Sequence, residues 1–309
     1  MFAFGWVMLG AALQGLGRLQ EALEAAQRGA QLDPNNAEAL LSFGGILLRS
    51  AQYQAAEAVL AKALHLMPQN LAVRYQLALA MSQQLKWSLA IQELQRILKV
   101  QPEHFDAHCA LGDIYVATNQ HALAVAHYER ALVQKPKHRL LLERLGDICR
   151  NHGQPKEGAQ RFQQALDLES TSIVALYGLG LCCIDLAEYQ KATAKFEKVL
   201  EIQPQHAEAM ARLAYTRDLL GEVECARTWF EQAIRYPGTA GAQVFSSYLY
   251  FLAHRAITTP AEYLQIARHY NMRVASNPQI TARNGQPRIG RRLKVGYVSG
   301  DFRQHPICY

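Results

Sequence analysis

The sequence lacks the short motifs that mark common catalytic, metal and nucleotide sites. No C-x-x-C pair occurs, which argues against the usual spacing of structural zinc ligands. Neither G-x-x-x-x-G-K-S/T nor G-x-G-x-x-G occurs, so nucleotide sites of those two types are unsupported. No uncharged run reaches the roughly 20 residues of a membrane span. We therefore expect no membrane segment.

The spacing of the cysteines does not indicate a framework of disulfide bonds. Most of the six cysteines occupy apolar positions in a helical pattern: Cys109, Cys149, Cys182, Cys183, Cys225 and Cys308. This usage suits buried free thiols in a reducing compartment and predicts a cytoplasmic protein. His104 and His108 have the i,i+4 spacing of metal ligands, but no cysteine or carboxylate completes a site. We expect neither a metal nor a cofactor.

Acidic residues are almost absent from residues 271–309. Seven basic side chains there stand against Asp301 alone, whereas residues 1–270 carry equal numbers of acidic and basic side chains. The net charge of +6 therefore belongs to this tail. A basic tail can bind nucleic acid or acidic lipid. Since no aromatic residues alternate with these arginines, we favour a solvated linker and expect no nucleic-acid partner.

A 34-residue period organises residues 3 to about 240. Prolines recur in one register, with Ser170 in the one missing place: Pro34, Pro68, Pro102, Pro136 and Pro204. A small residue recurs in the same register: Gly10, Gly44, Ala78, Gly112, Gly146, Gly180 and Ala214. A second small series is Ala22, Ala56, Ala90, Ala124, Gly158, Ala192 and Ala226. Large apolar residues accompany both series; those after the second are Leu60, Leu94, Tyr128, Phe162, Phe196 and Phe230.

This pattern predicts a pair of antiparallel helices in each of seven repeats. The small residues mark close approaches between the two helices, and the large residues fill the gaps beside them. Proline ends the second helix because it cannot donate a backbone hydrogen bond within a helix. Side chains at the following turn are expected to cap the next first helix: Asn36, Asn70, Ser172, His104, His138 and His206. The fold class is therefore an all-α solenoid.

The register is lost after residue 240. An aromatic-rich helix is predicted over residues 243–254, and the capping box that begins at Thr259 starts a second helix to about Arg273. We expect these helices, within residues 241–275, to cap the last repeat. Residues 276–292 are predicted to be a basic linker. Val295 and Tyr297 precede a glycine-containing turn, which predicts a strand within residues 293–309.

The repeats resemble the tetratricopeptide repeat. Its W-x2-L-G-x2-Y start is nearly spelled by Trp6, Leu9, Gly10 and Leu13. The resemblance implies a right-handed superhelical solenoid over residues 1–240, with a concave groove that binds a protein or peptide. In such a solenoid each repeat is covered by its neighbours, and the N-terminal face of the first repeat here is expected to be uncovered. We expect further repeats upstream or contact with a partner there, and a homo-oligomer is one possibility.

Residues on the first helix of each repeat are the candidates for this groove. The positions around the small-residue marker place the following side chains there: Gln76, Gln83, Asp113, Arg144, Asp147, Asn151, Tyr177, Asp185, Arg212 and Tyr215. This mixture can hydrogen-bond an extended backbone and pair with charges of either sign. Any one of these residues can equally be ordinary solvated surface. Charge reversal at Arg144 and Arg212 is expected to weaken binding of an acidic peptide.

Residues 292–306, which read RLKVGYVSGDFRQHP, resemble the opening of the catalytic region of protein O-GlcNAc transferases and the related SPINDLY proteins. Those proteins also carry tetratricopeptide repeats immediately upstream. The resemblance implies that 293–309 is the truncated start of an α/β, Rossmann-like glycosyltransferase lobe. It further implies UDP-GlcNAc as the donor in a longer parent enzyme, or GDP-fucose as in plant SPINDLY members, and an active-site role there for His305.

Two hypotheses about function follow. In the first, the chain is the protein-binding N-terminal part of a glycosyltransferase, and these 309 residues alone are inactive. In the second, it is a non-catalytic tetratricopeptide scaffold. One departure weakens the analogy to the transferases: the groove asparagines of animal members are replaced here by Met8, Ser42, Gln76, Ala110, Arg144, Gly178 and Arg212.

Overall fold

The computed structural model describes residues 2–236, 241–255 and 258–274, and these ranges contain sixteen helices and no strand. Fourteen of them form seven pairs: α1 (Phe2–Gly15), α2 (Leu19–Leu32), α3 (Ala37–Arg49), α4 (Tyr53–Leu66), α5 (Leu71–Gln83), α6 (Trp87–Val100), α7 (Phe105–Ala117), α8 (His121–Gln134), α9 (Arg139–Asn151), α10 (Pro155–Leu168), α11 (Ile173–Asp185), α12 (Tyr189–Ile202), α13 (Ala207–Leu219) and α14 (Val223–Ala233). Two more follow, α15 (Gly241–Arg255) and α16 (Pro260–Val274). The prediction of an all-α repeat fold is confirmed.

The chain divides into two compact units between Phe251 and Leu252, within α15. The first unit thus extends past the predicted end of the solenoid at residue 240. The predicted linker at 276–292, and the predicted strand and glycosyltransferase start at 293–309, lie outside the described residues. Among the described helices, none is long and apolar enough to cross a membrane.

Side-chain caps start the first helix of six repeats, as the sequence predicts. Each cap accepts a hydrogen bond from a backbone N–H of the first turn, where the helix itself supplies no partner. The caps are Asn36, Asn70, His104, His138, Ser172 and His206. For the histidines the accepting atom is Nδ1, which lies 3.1 Å from Ala107 N in the case of His104. These imidazoles therefore have a structural role.

A left-handed residue ends the turn between the two helices of each pair. It recurs every 34 residues, as Gly17, Ala51, Leu85, Asn119, Gly153, Ala187 and Gly221, with φ between 56° and 84°. Only glycine adopts this conformation without steric cost. The four other residues are held there because the backbone N–H of the next residue bonds back into the first helix, as from Gln52 to Leu47.

Close contact between small and large residues holds each pair together. A Cβ on Gly146 would lie 2.9 Å from three ring atoms of Phe162, which is fully buried. The ring also abuts Gly178 of the next repeat, so it has no room to move away. Gly44 faces Leu60, Gly112 faces Tyr128 and Gly180 faces Phe196 in the same way. The predicted pairing of small and large residues is therefore confirmed.

Stacking between repeats is closer on the side of the first helices. α1 contacts α3, α3 contacts α5, α5 contacts α7, and α9 contacts α11, whereas no comparable contact joins successive second helices in the described chain. In the first unit, the first helices of the seven pairs form one side of the stack; they are α1, α3, α5, α7, α9, α11 and α13. We call this surface the first-helix face.

The two ends of the stack differ. At the C-terminal end, α15 covers Phe230 with the rings of Tyr248 and Phe251, at centroid distances of 5.6 and 5.1 Å. This contact lies within the helix for which the sequence predicts a capping role. At the other end Leu9 is 44% exposed, whereas its equivalents Leu111 and Leu145 are fully buried.

A histidine pair lies between α7 and α8 in the fourth repeat, with His108 buried and His127 partly exposed. His108 is 1% exposed; its Nε2 lies 2.9 Å from the Pro102 carbonyl and its Nδ1 lies 2.8 Å from His127 Nδ1. Because the carbonyl can only accept, His108 Nε2 donates to it, and His108 Nδ1 then accepts from His127. Burial first, and then His108 and Arg130, lower the pKa of His127 to about 4.

We predict that Gly146→Ala destabilises the protein. Overpacking against Phe162 costs about 1–3 kcal/mol, which exceeds the helix-propensity gain of up to about 1 kcal/mol. The matched control is Gly5→Ala, because Gly5 lies inside α1 with nothing within 4 Å of its Cβ position. Urea unfolding measures both variants. Equal stability of the two variants would contradict the proposed packing.

We also predict that acid destabilises the fold through His127. Its folded pKa is depressed, so the unfolded chain takes up the proton first, near pH 6.5, and stability falls as the pH drops from there to about 4. The half-exposed ring reduces the effect to about 1–2 kcal/mol. His127→Gln keeps a hydrogen-bond donor to His108 and should remove the loss of stability that the low pKa of His127 causes in acid. Urea unfolding at pH 7.0 and 4.5 tests it, with the exposed His65→Gln as control; identical acid sensitivity in both variants would refute the assignment.

Candidate functional site

A cleft of about 460 Å³ opens on the first-helix face between the fourth and fifth repeats. Its lining comes from α7, α8 and α9: Asp113, Val116, His121, Tyr128, Arg144, Asp147, Ile148 and Asn151. Four of the ten predicted groove residues, Asp113, Arg144, Asp147 and Asn151, thus lie in one cavity. We call this cavity the α7–α9 cleft.

An ion pair joins the two sides of the α7–α9 cleft. Arg144 Nη1 contacts the Asp113 carboxylate, and both side chains are about half exposed. The Tyr128 hydroxyl donates to Asp113 over 2.5 Å and accepts from Arg144 Nη1 over 3.3 Å. Burial raises the pKa of Tyr128, so the phenol stays protonated. These three groups satisfy one another, and Arg144 is therefore not a free anion-binding group.

Arg150 extends this polar row to the next repeat. Its Nη1 lies 3.3 Å from Asp185 on α11, and its Nη2 donates to Asn151 over 2.8 Å. Its Nε is buried and has no hydrogen-bond partner among the described residues. Asp185 and Asn151, both predicted groove residues, are therefore brought together by a residue that the sequence analysis did not select.

Asp147 and His121 differ from these paired groups. Asp147 is exposed at the cleft and makes no hydrogen bond or ion pair within the described part of the chain. Desolvation raises its pKa; Arg150 opposes this rise and Glu143 adds to it. His121 Nε2 lies 2.6 Å from Asn119 Oδ1, while its Nδ1 is buried without a partner among the described atoms. The cleft thus presents one accessible acceptor that no described group uses, the Asp147 carboxylate, whereas His121 Nδ1 is enclosed.

The other predicted groove residues are spread along the face. Gln83 and Arg212 are exposed, and Tyr215 is 37% exposed. Gln76 is half-buried, and its Oε1 has no partner among the described atoms. Tyr177 packs between Phe196 and His206, at centroid distances of 5.6 and 5.5 Å. Tyr177 therefore has a packing role that the sequence analysis did not assign. His305 lies outside the described residues.

Tyr128 is the contact residue that sequence reasoning missed most clearly. Its position in the repeat places it in the series of large packing residues, which predicts a packing role alone. Yet it is the one member of that series with a polar end, and a buried tyrosine hydroxyl usually has a hydrogen-bond partner. That difference between Tyr128 and its equivalents Leu94 and Phe162 was the available signal. The sequence gives no comparable signal for His121 and Arg150, because their positions in the repeat are ones where surface residues are common.

The described side chains do not assemble a catalytic group. No cluster of three or more histidine, cysteine or acidic residues that could hold a metal occurs in the described ranges. Burial raises the pKa of Cys109 to about 11 and that of Cys182 to about 12, so both are protonated thiols and poor nucleophiles at neutral pH. Cys225 is exposed, unlike the buried thiols that the sequence analysis expected.

A second groove lies on the opposite side of the stack, along α10, α11 and α12. Its volume is about 500 Å³, and its floor is formed by apolar groups that include Ala159, Leu179 and Leu186. Lys191 and Glu188 at its rim are 3.0 Å apart and pair with each other. Gln160, Gln163 and Lys195 add polar groups to its lining.

Two family models match separate parts of the chain. Residues 3–108 match the cytochrome c-type biogenesis protein H TPR domain, and residues 117–199 match the anaphase-promoting complex, cyclosome, subunit 3. Neither model spans half of the chain. A search of curated proteins found no match.

Several solved structures share the fold. The C-terminal part of a TPR repeat-containing protein from Cytophaga hutchinsonii has a TM-score of 0.62 at 14% identity, covering 78% of this chain and 98% of that one. A tetratricopeptide repeat protein from Parabacteroides merdae has a TM-score of 0.58 at 17% identity, covering 81% and 99%. Pseudomonas aeruginosa PilF has a TM-score of 0.53 at 20% identity, covering 67% and 90%. At these identities the similarity concerns the fold alone.

Proposed function

Since the chain is a tetratricopeptide-repeat protein, we propose that it is a non-catalytic scaffold whose first-helix face binds an extended segment of another protein. Tetratricopeptide proteins generally mediate protein–protein interaction. The observation that supports this function most is the α7–α9 cleft, in which four predicted groove residues line one cavity and the exposed Asp147 carboxylate makes no hydrogen bond or ion pair with a described residue. A reducing, cytoplasmic location, suggested by cysteine usage, is part of the proposal.

The polar groups of the face suit an extended backbone. Asn151, Gln76 and Gln83 carry amides that both donate and accept, and they lie on α9 and α5 along the same face. An extended segment rises about 3.3 Å per residue and leaves its own N–H and C=O groups unpaired. A row of amides and carboxylates can satisfy these groups without fixing one sequence. Charged residues such as Arg212 on α13 then select among sequences.

A second candidate rests on residues 292–306 alone. Their resemblance to the start of a protein O-GlcNAc transferase supports the proposal that a longer chain with these residues transfers N-acetylglucosamine, with His305 near the donor. Neither the two family models nor the three structures above is a glycosyltransferase. The scaffold function therefore explains more of what is observed.

We predict that loss of polar groups from the first-helix face weakens peptide binding. A dodecapeptide selected from a random display library on the full chain serves as the ligand. The double variant Asn151→Ala with Arg212→Ala should bind it at least tenfold more weakly, or by about 1.4 kcal/mol, because hydrogen bonds to the ligand are lost. Fluorescence anisotropy measures the Kd.

The matched control carries the same kinds of substitution on the second helices. Gln160→Ala lies at the opposite groove, and Lys198→Ala lies on α12; both residues are exposed. This variant should bind like the parent. If instead the control weakens binding and the first-helix variant does not, the ligand binds the opposite groove and the proposed site is wrong.

The two candidate functions also differ in a direct assay. The 309-residue chain is expected to transfer no sugar from radiolabelled UDP-GlcNAc to a mixture of bacterial proteins, because the described residues include no catalytic arrangement. Boiled chain gives the background. Transfer above that background would contradict the non-catalytic scaffold.

A further inference from the structure

The α7–α9 cleft has an uncompensated negative charge. Its lining contains two carboxylates, Asp113 and Asp147, and one guanidinium, that of Arg144. Arg144 already contacts Asp113, and the Tyr128 hydroxyl donates to the same carboxylate. Arg150, which follows Asp147 by three residues, hydrogen-bonds to Asp185 and Asn151 instead. Asp147 is left with no direct cationic partner among the described residues.

The accessible acceptor that the cleft leaves unused is the Asp147 carboxylate. A carboxylate accepts hydrogen bonds and does not donate them. A group that enters this cleft must therefore supply donors. A ligand carboxylate would leave Asp147 without a donor and would lie against Asp113 and Asp147.

The walls of the cleft indicate what carries these donors. Val116, 38% exposed, and Ile148, 7% exposed, form apolar lining beside the polar groups. Lysine and arginine bury their methylene stems against apolar surface while the charged head reaches a polar group. Desolvation at the cleft raises the pKa of Asp147, which a bound cation would reverse.

We propose that the α7–α9 cleft binds a lysine or arginine side chain of the partner segment, with Asp147 as the residue that selects the positive charge. This inference rests on the proposed function and names the chemistry of its ligand. It replaces the expectation that an acidic residue of the ligand pairs with Arg144, because the Arg144 guanidinium is already paired with Asp113. An acidic ligand residue is left to the exposed Arg212, which lies two repeats further along the face.

Peptides are selected from a random dodecapeptide display library on the 309-residue chain and on its variants Asp147→Asn and Glu201→Gln. Asp147→Asn removes the charge at nearly constant shape, and Glu201→Gln removes an exposed charge on α12, outside the cleft. Peptides selected on the parent should contain lysine or arginine at one fixed position. Replacing that residue by norleucine should weaken binding at least tenfold on the parent and on Glu201→Gln, but less than threefold on Asp147→Asn.

Two results would overturn the inference in different ways. If peptides are selected but none requires a basic residue, or if Asp147→Asn keeps the full preference for it, the cleft does not select a cation although the face still binds. If no peptide is selected on the parent chain, the proposed scaffold function fails together with the inference. Equal urea midpoints for the three proteins establish that the comparison concerns folded chains.

Discussion

The close approach of a small residue to a large side chain, repeated every 34 residues, is the contact on which the rest of this structure depends. One helix pair alone exposes too much apolar surface to be stable, so each pair must pack on its neighbours. Phe162 shows how this is done, because its ring fills the space left by Gly146 of its own pair and by Gly178 of the next. The same contact fixes the rotation of each first helix, and with it the residues that reach the first-helix face.

Function in such a stack comes from exceptions to the repeat. Leu94, Phe162 and Phe196 fill their sites with purely apolar groups, whereas Tyr128 adds a hydroxyl that reaches Asp113 and Arg144. This one difference ties two neighbouring first helices together through polar contacts. Asp147 stands beside them without a hydrogen bond or ion pair to a described cation, so the cleft combines three groups that pair with one another and one that does not.

Most of the fold was predictable from the sequence because a periodic pattern constrains every repeat at once. Seven pairs and six caps follow from residue spacing. The left-handed turn residues were not predicted, although Gly17, Gly153 and Gly221 keep the same register, because Ala51 and Leu85 conceal the pattern.

The candidate site was predictable only in part. Register predicts that Asp113, Arg144, Asp147 and Asn151 share one face, since side-chain direction repeats with the helix, and these four residues line one cleft. It could not show that Arg144 is already paired, because that depends on the distance between two helices and on the Tyr128 hydroxyl. Nor could it separate Tyr177, which packs on its neighbours, from Tyr215, which is exposed. Pairing and packing between repeats are three-dimensional properties that spacing along one chain does not encode.

The central claim, that the first-helix face binds an extended segment, is tested most directly by locating a bound peptide. A display-selected peptide that carries a benzophenone at its centre can be crosslinked by light to the full chain, and mass spectrometry then identifies the attached residues. The account predicts crosslinks on α7, α9 and α11. Crosslinks confined to α10 and α12 would contradict it.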